Sequence, residues 1–261
     1  MEVRQLHPAM GIKKIYYQLL PDNIGRDRFI DIGVENGLSL PRVRNYQRTT
    51  FSSKHRKYRN LTAGLIIRNI NVIWVSDITY IYVQGRFYYI TFIVDVYSRR
   101  ILGYEVSDTL QAESSCRALK KAIEARGNIS LRGMIHHSDR GSQYISNEYT
   151  DILKSHGIEI SMCDNVYENT HMERVNGTIK NEYLLRYNIN SLKELRKKTE
   201  EAVYLYNNDR IHWSLPLMPP VKYEGILAQI PMGEREEMSL WVDNQYVNEK
   251  QFCQEDLFSI L

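Results

Sequence analysis

The sequence predicts an α/β fold in which three antiparallel strands lead into alternating helix and strand, giving a mixed sheet with helices on its faces. Three observations carry this. Residues 72–83, 87–97 and 101–106 are rich in branched and aromatic side chains and are joined only by short turns, so they read as a meander. The texture then changes over 112–126, where Leu119 and Ile123 stand four apart on one helical face. Beyond it a short apolar run at 133–136, a helix over 147–155 stopped near Gly157, and a strand over 158–162 supply the alternation.

The segments outside this core follow from the same rules. In 8–20 the apolar residues Met10, Ile12, Ile15, Tyr16, Leu19 and Leu20 recur at helical spacing, with Pro8 suited to a first turn. A second helix over 26–35 ends at Asn36-Gly37, and a third segment over 40–46 completes a small unit of helix-turn-helix type, a pattern that also occurs without DNA binding. Residues 1–48 are therefore expected to be a helical DNA-binding segment and 49–68 a basic linker that can lie along phosphates. The core domain spans 69–190 and is expected to fold without residues 1–62. Ser191 and Glu194 form a capping box that opens a long helix, and 191–231 extend the core. Residues 232–261 read as an acidic, peripheral tail.

Composition narrows the function classes. With 43% hydrophobic and 25% charged residues, the 261-residue chain is an ordinary globular protein and not a disordered one. It has no run of eighteen apolar residues and no apolar leader, so a cytoplasmic, nucleoid-associated protein is expected. Cys116, Cys163 and Cys253 are scattered, which suits buried thiols better than a disulfide frame or a zinc site. Net charge is only +3, but residues 1–68 carry 13 Lys and Arg against 5 Asp and Glu, whereas 232–261 carry 2 against 7. A basic front fits a polyanion such as nucleic acid.

Three acids stand out. Asp77 lies inside a strand-like run, where an unpaired charge costs several kcal/mol or is forced neutral. Asp139 ends the short run after His136 and His137, and Glu173 lies on a helical pattern over 169–185. Singly, each has an ordinary explanation: a strand-edge residue, a turn-former before Arg140-Gly141, a surface glutamate. Brought together at one sheet edge, they would need a cation to stay ionised, and an all-oxygen set selects Mg2+ or Mn2+ over zinc. Two such ions, about 3.5–4 Å apart, suit an in-line phosphoryl displacement. At about 100° per residue Asn176, Gly177 and Lys180 share the Glu173 face and Glu182 points away. Asn176, Lys180, His137, Gln143 and Arg174 are the candidate DNA contacts. The histidine pair lacks the partners of a zinc site, so a hydrogen-bonding or substrate-touching role is expected for it.

Five ordered motifs, WVSDITYI, FIVDVYSRRILG, HHSDRGSQY, ERVNGTIKNE and YNNDRIH, resemble the DDE transposases of bacterial insertion sequences, in particular the second-reading-frame product of elements with two overlapping frames. Their core is similar to that of retroviral integrases. The resemblance covers about residues 8–224 and implies a ribonuclease-H-like fold, cleavage of DNA at element ends with two Mg2+ or Mn2+ ions, and transfer of the freed 3′-hydroxyl to target DNA. It places Asp77, Asp139 and Glu173 on the family's catalytic and metal-binding triad and leaves Asp95 outside it. DNA, a homo-oligomer on DNA and the element's first-frame protein are the implied partners. Between Asp139 and Glu173 lie 33 residues, slightly fewer than the family usually has, a change a loop absorbs cheaply. Were Glu168 the third acid, only 28 would intervene. Family members of this kind act as fusions with a first-frame protein carrying the main end-recognition helices, and this chain begins after that point. A plain metal nuclease on the same fold and a non-catalytic regulator that occupies element ends are the alternative readings.

Overall fold

The computed structural model describes residues 2–40, 57–163 and 170–240. Its centre is a five-stranded sheet of order β4-β3-β2-β5-β6. Strands β2 (Ile73–Val83), β3 (Arg86–Asp95) and β4 (Ile101–Ser107) are antiparallel neighbours, and β5 (Ile135–Ser138) and β6 (Glu159–Met162) add in parallel on the other side of β2. The β2–β3 loop is the two-residue turn Gln84-Gly85, with φ of 47° and 82°, the backbone that matches the twist of a tight hairpin. The meander and the parallel addition are the arrangement the sequence predicts, with boundaries shifted by one or two residues.

Alternation along the strands divides the core in two. Ile73, Val75, Ile81 and Val83 of β2, with Tyr88, Ile90, Phe92 and Val94 of β3, face one cluster. That cluster is closed by α6 (Thr170–Gly177), by the π-helical turn Thr178–Tyr183 that continues it, and by α7 (Leu192–Asn208). Trp74, Ile93 and Leu102 face the second cluster, closed by α4 (Ala112–Glu124) and α5 (Asn147–Ser155). On this side α4 lies directly on β4: a Cβ at Gly103 would stand 2.1 Å from the Ala118 carbonyl oxygen, so only glycine permits the approach. At the edge of β4, the Asn207 amide both donates to and accepts from the backbone of Ile101, at 2.8 and 3.0 Å, supplying the pairing that a further strand would give.

The capping box is present, for Ser191 Oγ accepts from the Glu194 N–H at 3.1 Å and the Glu194 carboxylate accepts from the Asn190 N–H at 2.8 Å. The front differs from the single helix expected over 8–20. Helix α1 (Glu2–Leu6) ends before Pro8, and α2 (Ile12–Leu19) starts after Gly11 and precedes α3 (Arg26–Glu35). The expected third segment lies outside the described residues beyond Leu40, as do residues 49–56 of the linker, Cys253, and the tail after Leu240. The described start of the tail is not peripheral. Its strand β7 (Met238–Ser239) pairs with β1 (Ile66–Ile67), and the Tyr97 hydroxyl donates to the Glu236 carbonyl at 2.8 Å.

Nor is the front a detachable module. His7 is fully buried, its Nδ1 2.6 Å from the Tyr183 hydroxyl and its Nε2 2.6 Å from Asp209 Oδ2. Burial lowers its pKa against the pull of Asp209, so the neutral ring donates from Nε2 and accepts from Tyr183. The Ala9 N–H donates to the Glu182 carbonyl at 3.2 Å, and the Gln18 amide donates to the Asp209 carbonyl at 3.0 Å. Removing residues 1–62 therefore strips partners from buried groups of the core, contrary to the expectation of an independent core. His7→Ala should cost about 1–3 kcal/mol, because the Tyr183 hydroxyl is left unpaired in the interior, and lower the melting temperature by roughly 2–10 °C. Thermal melting followed by circular dichroism checks this; an unchanged midpoint would mean that the front is held by other contacts.

Candidate active site

Parallel pairing of β2 with β5 sets Ser76 opposite Ser138 and Val75 opposite His137. Asp77 and Asp139, each one residue further along its strand direction, therefore come out side by side at the end of β5, across a strand spacing of about 4.8 Å. Asp77 points to the side covered by α6, where the Asn176 amide donates to its Oδ2 at 2.8 Å. Asp139 is oriented by the Gly141 N–H, which donates to its Oδ1 at 2.9 Å. A Cβ on Gly141 would meet that oxygen at 3.0 Å and Gln143 Oε1 at 2.8 Å, so the turn is closed around the carboxylate. Glu173 is exposed on α6, on the same side of the sheet, shortly after the segment 164–169 that lies outside the described residues, as does Glu168.

The electrostatics record this convergence. The Asp77 carboxyl is pushed up to about 7, first by burial, then by the charge of Asp139 and further by that of Glu173, against a backbone hydrogen bond at Ile78 and the Asn176 amide. Burial also raises Asp139, opposed by its bond from Gly141. Tyr144, in the 3-10 turn Ser142–Ile145, is buried beside both acids and bonds Ser76 Oγ at 3.0 Å. Among the described residues no three acids, histidines or cysteines are gathered into a ready metal-binding group. The side chains present nonetheless suit a hard divalent cation. They offer oxygen donors only, Asp77 is only partly ionised near neutrality without a counter-charge, and the Asn176 Oδ1 is a buried acceptor with no partner.

The other candidates divide. Asn176 belongs to the site through Asp77. Lys180 is half-buried with its ammonium 4.4 Å from the centre of the Tyr80 ring, and burial lowers its pKa. The chain turns π-helical at Thr178, so the uniform helical count from Glu173 applies as far as Gly177. Arg174 and Gln143 lie at the surface, Gln143 donating to the Leu110 carbonyl at 3.1 Å. His137 is a correction. It is 1% exposed, with Nδ1 2.8 Å from Ser161 Oγ and Nε2 3.1 Å from Cys163 Sγ, and burial lowers its pKa to about 4, so it is an interior hydrogen-bonding residue and not a DNA contact. His136 is likewise interior, bonded to the Tyr149 hydroxyl at 2.9 Å, its pKa lowered to about 3 by burial. Asp95 is fully buried and accepts from the N–H groups of Asn71, Tyr97 and Ser98, at 2.6, 3.0 and 3.0 Å, and from Arg126 at 3.4 Å. It fastens the end of β3, apart from the pair of acids. Tyr144, Ser76 and the Cys163–His137–Ser161 chain were missed in the sequence, where nothing but the strand alternation around Ser76 marks them.

Two models described as integrase core domains match residues 68–166 and 156–220. An uncharacterized 31 kDa protein of insertion element IS600 from Shigella sonnei is 32% identical over 239 residues, covering 85% of each chain. A transposase for insertion sequence element IS629, also from Shigella sonnei, is 31% identical over 223 residues, covering 84% of this chain and 74% of its own. The chain belongs to the insertion-sequence transposases with an integrase core domain. A chain of the simian T-cell lymphotropic virus intasome superposes with a TM-score of 0.53 at 20% identity, over 66% of this chain and 61% of its own. That likeness concerns the fold, and with the mixed five-stranded sheet it gives the ribonuclease-H-like class expected from the motifs. No described helix of this transposase is long and apolar enough to cross a membrane.

The raised Asp77 pKa gives a pH dependence of known sign. Folded Asp77 keeps its proton up to about pH 7, whereas the unfolded residue loses it near about 3.9, so ionisation destabilises the metal-free fold as pH rises between these values. His136 and His137, with folded values below the unfolded value of about 6.5, act oppositely, losing stability as pH falls through that range. The difference between Asp77→Asn and wild type isolates the acid. In EDTA the variant's melting temperature should match wild type near pH 4 and exceed it by several degrees at pH 7.5, and a difference that stays flat across the range would contradict the placement of Asp77.

Proposed function

We propose that this transposase cleaves DNA at the ends of its insertion sequence and joins the freed 3′-hydroxyl to target DNA, with Asp77, Asp139 and Glu173 as its catalytic acids. The observation that carries the reading is the register of β2 against β5, which sets two acids side by side under the helix bearing the third and leaves Asp77 with a proton it would keep only in the absence of a counter-charge. Mg2+ or Mn2+ would be held by Asp77, Asp139 and Glu173, two ions in the complete site, and would supply charge neutralisation of the scissile phosphate and activation of the attacking oxygen.

The chain's own groups do the rest. The Asn176 amide fixes the Asp77 carboxylate, and the Gly141 N–H fixes Asp139, so neither has to search for its rotamer when DNA arrives. Glu173, exposed on α6, can close on DNA last. Lys180, with a lowered pKa and a berth on Tyr80, offers a cation beside the strand entering past β2. In the first step the oxygen of water attacks the phosphorus and the 3′-oxygen leaves. In the second that 3′-oxygen attacks a target phosphorus and displaces the target's own 3′-oxygen. Bringing two element ends together calls for more than one copy of the chain, and the element's first-frame protein is the further partner this reading names. Residues 1–48 act with the core as an accessory grip, the linker and tail flanking a core of 69–231.

Labelled element ends incubated with a target plasmid separate the readings: joined product marks a transposase, cut product alone a nuclease, and shifted bands alone a regulator. Asp77→Asn, Asp139→Asn and Glu173→Gln should each lower cleavage by about 10²-fold or more while DNA binding stays within a few fold. Near-normal cutting by any one removes that residue from the set. Gly141→Ala, which presses a methyl group against Asp139 Oδ1, should lower cleavage by at least about tenfold with a melting shift of only a few degrees, measured on the same substrates. Full activity in that variant would mean that the turn can relax without moving the acid.

A further inference from the structure

The front of the chain and the segment after α7 meet at a place the catalytic reading does not use. Gly11, Lys13, Lys14 and Trp213 line a cavity of about 330 Å³. Trp213 is 51% exposed, an unusual position for so large an apolar surface, and is held edge-on by Tyr17 with ring centres 5.3 Å apart. The ammonium groups of Lys13 and Lys14 stand 5.6 and 5.7 Å from the centre of the same indole. Two cations share one ring, and among the described residues neither lysine has a carboxylate in ion-pairing range, because the nearby acids are engaged elsewhere. Glu182 is clamped by Arg210 at 2.7 and 2.9 Å, Asp209 by His7 at 2.6 Å and Asp27 by Arg26 at 2.7 Å. The Lys14 ammonium has its pKa lowered to about 8 by burial and further by Arg210, against the attraction of Glu182.

We propose that Trp213, Lys13 and Lys14 form a single-strand DNA subsite, in which an unpaired base stacks on the indole and the phosphates flanking it lie at the two ammonium groups. The subsite rests on DNA being the partner, as the proposed function has it, and adds which form of DNA and where. Every base presents a flat π-face, which pairing in a duplex keeps stacked between its neighbours and only an unpaired nucleotide can offer to an exposed ring. A phosphate between the lysines would gain a charge-assisted contact from each ammonium group, since neither is in an ion pair among the described residues. The position also fits a strand that passes the acids. The helix bearing Glu173 runs on to Glu182, roughly 10–14 Å further along, and Glu182 grips Arg210, three residues before Trp213. A transposase that holds such a nucleotide keeps the end of the cut strand separated from its complement.

The test uses the full chain with a labelled twelve-nucleotide oligothymidylate and a blunt duplex of equal length, read by fluorescence anisotropy at several salt concentrations and by tryptophan emission. Trp213→Ala should weaken single-strand binding by about 5-fold to 100-fold, with little change for the duplex, and should abolish the quenching of emission by the oligonucleotide. Trp213→Phe should keep most of the affinity, which guards against a folding defect, as does a melting temperature close to wild type. Lys13→Ala with Lys14→Ala should reduce the salt slope for the single strand by about 1.4, the share of two phosphate contacts. Unchanged single-strand affinity and quenching in Trp213→Ala would overturn the subsite, and so would an equal loss on duplex and single strand, which marks a general basic surface. If wild type cuts element ends while Trp213→Ala binds single strands normally, the subsite alone fails; if wild type binds neither DNA form, the proposed function fails with it.

Discussion

Parallel pairing of β2 with β5 is the constraint on which the remaining structure depends. A slip of one residue in that ladder would turn Asp77 or Asp139 to the other side of the sheet, because side chains alternate with a period of two. The register is fixed by burial on both faces: Ile73 and Val75 enter one core cluster and Trp74 the other. The layers above and below hold it. Helix α4 rests on the bare backbone of Gly103, α6 and α7 close the opposite face, and Asn207 finishes the outer edge. The fold spends apolar burial to hold like charges together, and that tension is what makes the place a functional-site candidate.

Two buried aspartates show how such tension differs from ordinary interior polarity. Asp95 is the more deeply buried, yet it faces three backbone N–H groups and Arg126, which is itself held by Glu224 at 2.7 Å. Burial still raises the Asp95 pKa, but every neighbouring donor opposes it, and among its causes only Glu224 adds repulsion. Asp77 has one amide and one backbone hydrogen bond set against two other carboxylates. The first arrangement is complete within the chain. The second leaves like charges facing one another with too few donors among the described residues to balance them.

Much of this was legible in the sequence. Strand alternation gave the meander, and the change to a helical period at Ala112 gave the parallel half of the sheet, because both patterns are local. Asp77 stood out because an acid inside an apolar run needs a reason. What escaped was set by contacts across long separations. His137 looks like a strand-end contact until Ser161 and Cys163, 24 and 26 residues away, are seen to occupy both its ring nitrogens. The front looks separable on composition and charge, yet His7 reaches Tyr183 and Asp209. Pro8 reads as a helix start, whereas Arg4 holds the turn around it by donating to the carbonyls of Pro8, Met10 and Leu38. No window of a dozen residues contains the partners of His137 or His7, or reaches from Arg4 to Leu38.

The wide turn at Thr178–Tyr183 sets a mechanical relation between the two ends of its helix. In an ordinary helix the angular phase of one residue dictates that of every other, so Glu173 could not face the sheet edge while Glu182 and Tyr183 met Arg210 and His7 unless the residue count happened to agree. A stretch with i to i+5 bonds inserts slack of about one residue and lets each end be indexed to its own partners. The length of this segment is thus a phase adjuster. Taking one residue out of it would remove that slack and restore an ordinary helix between ERVNG and EYLLR.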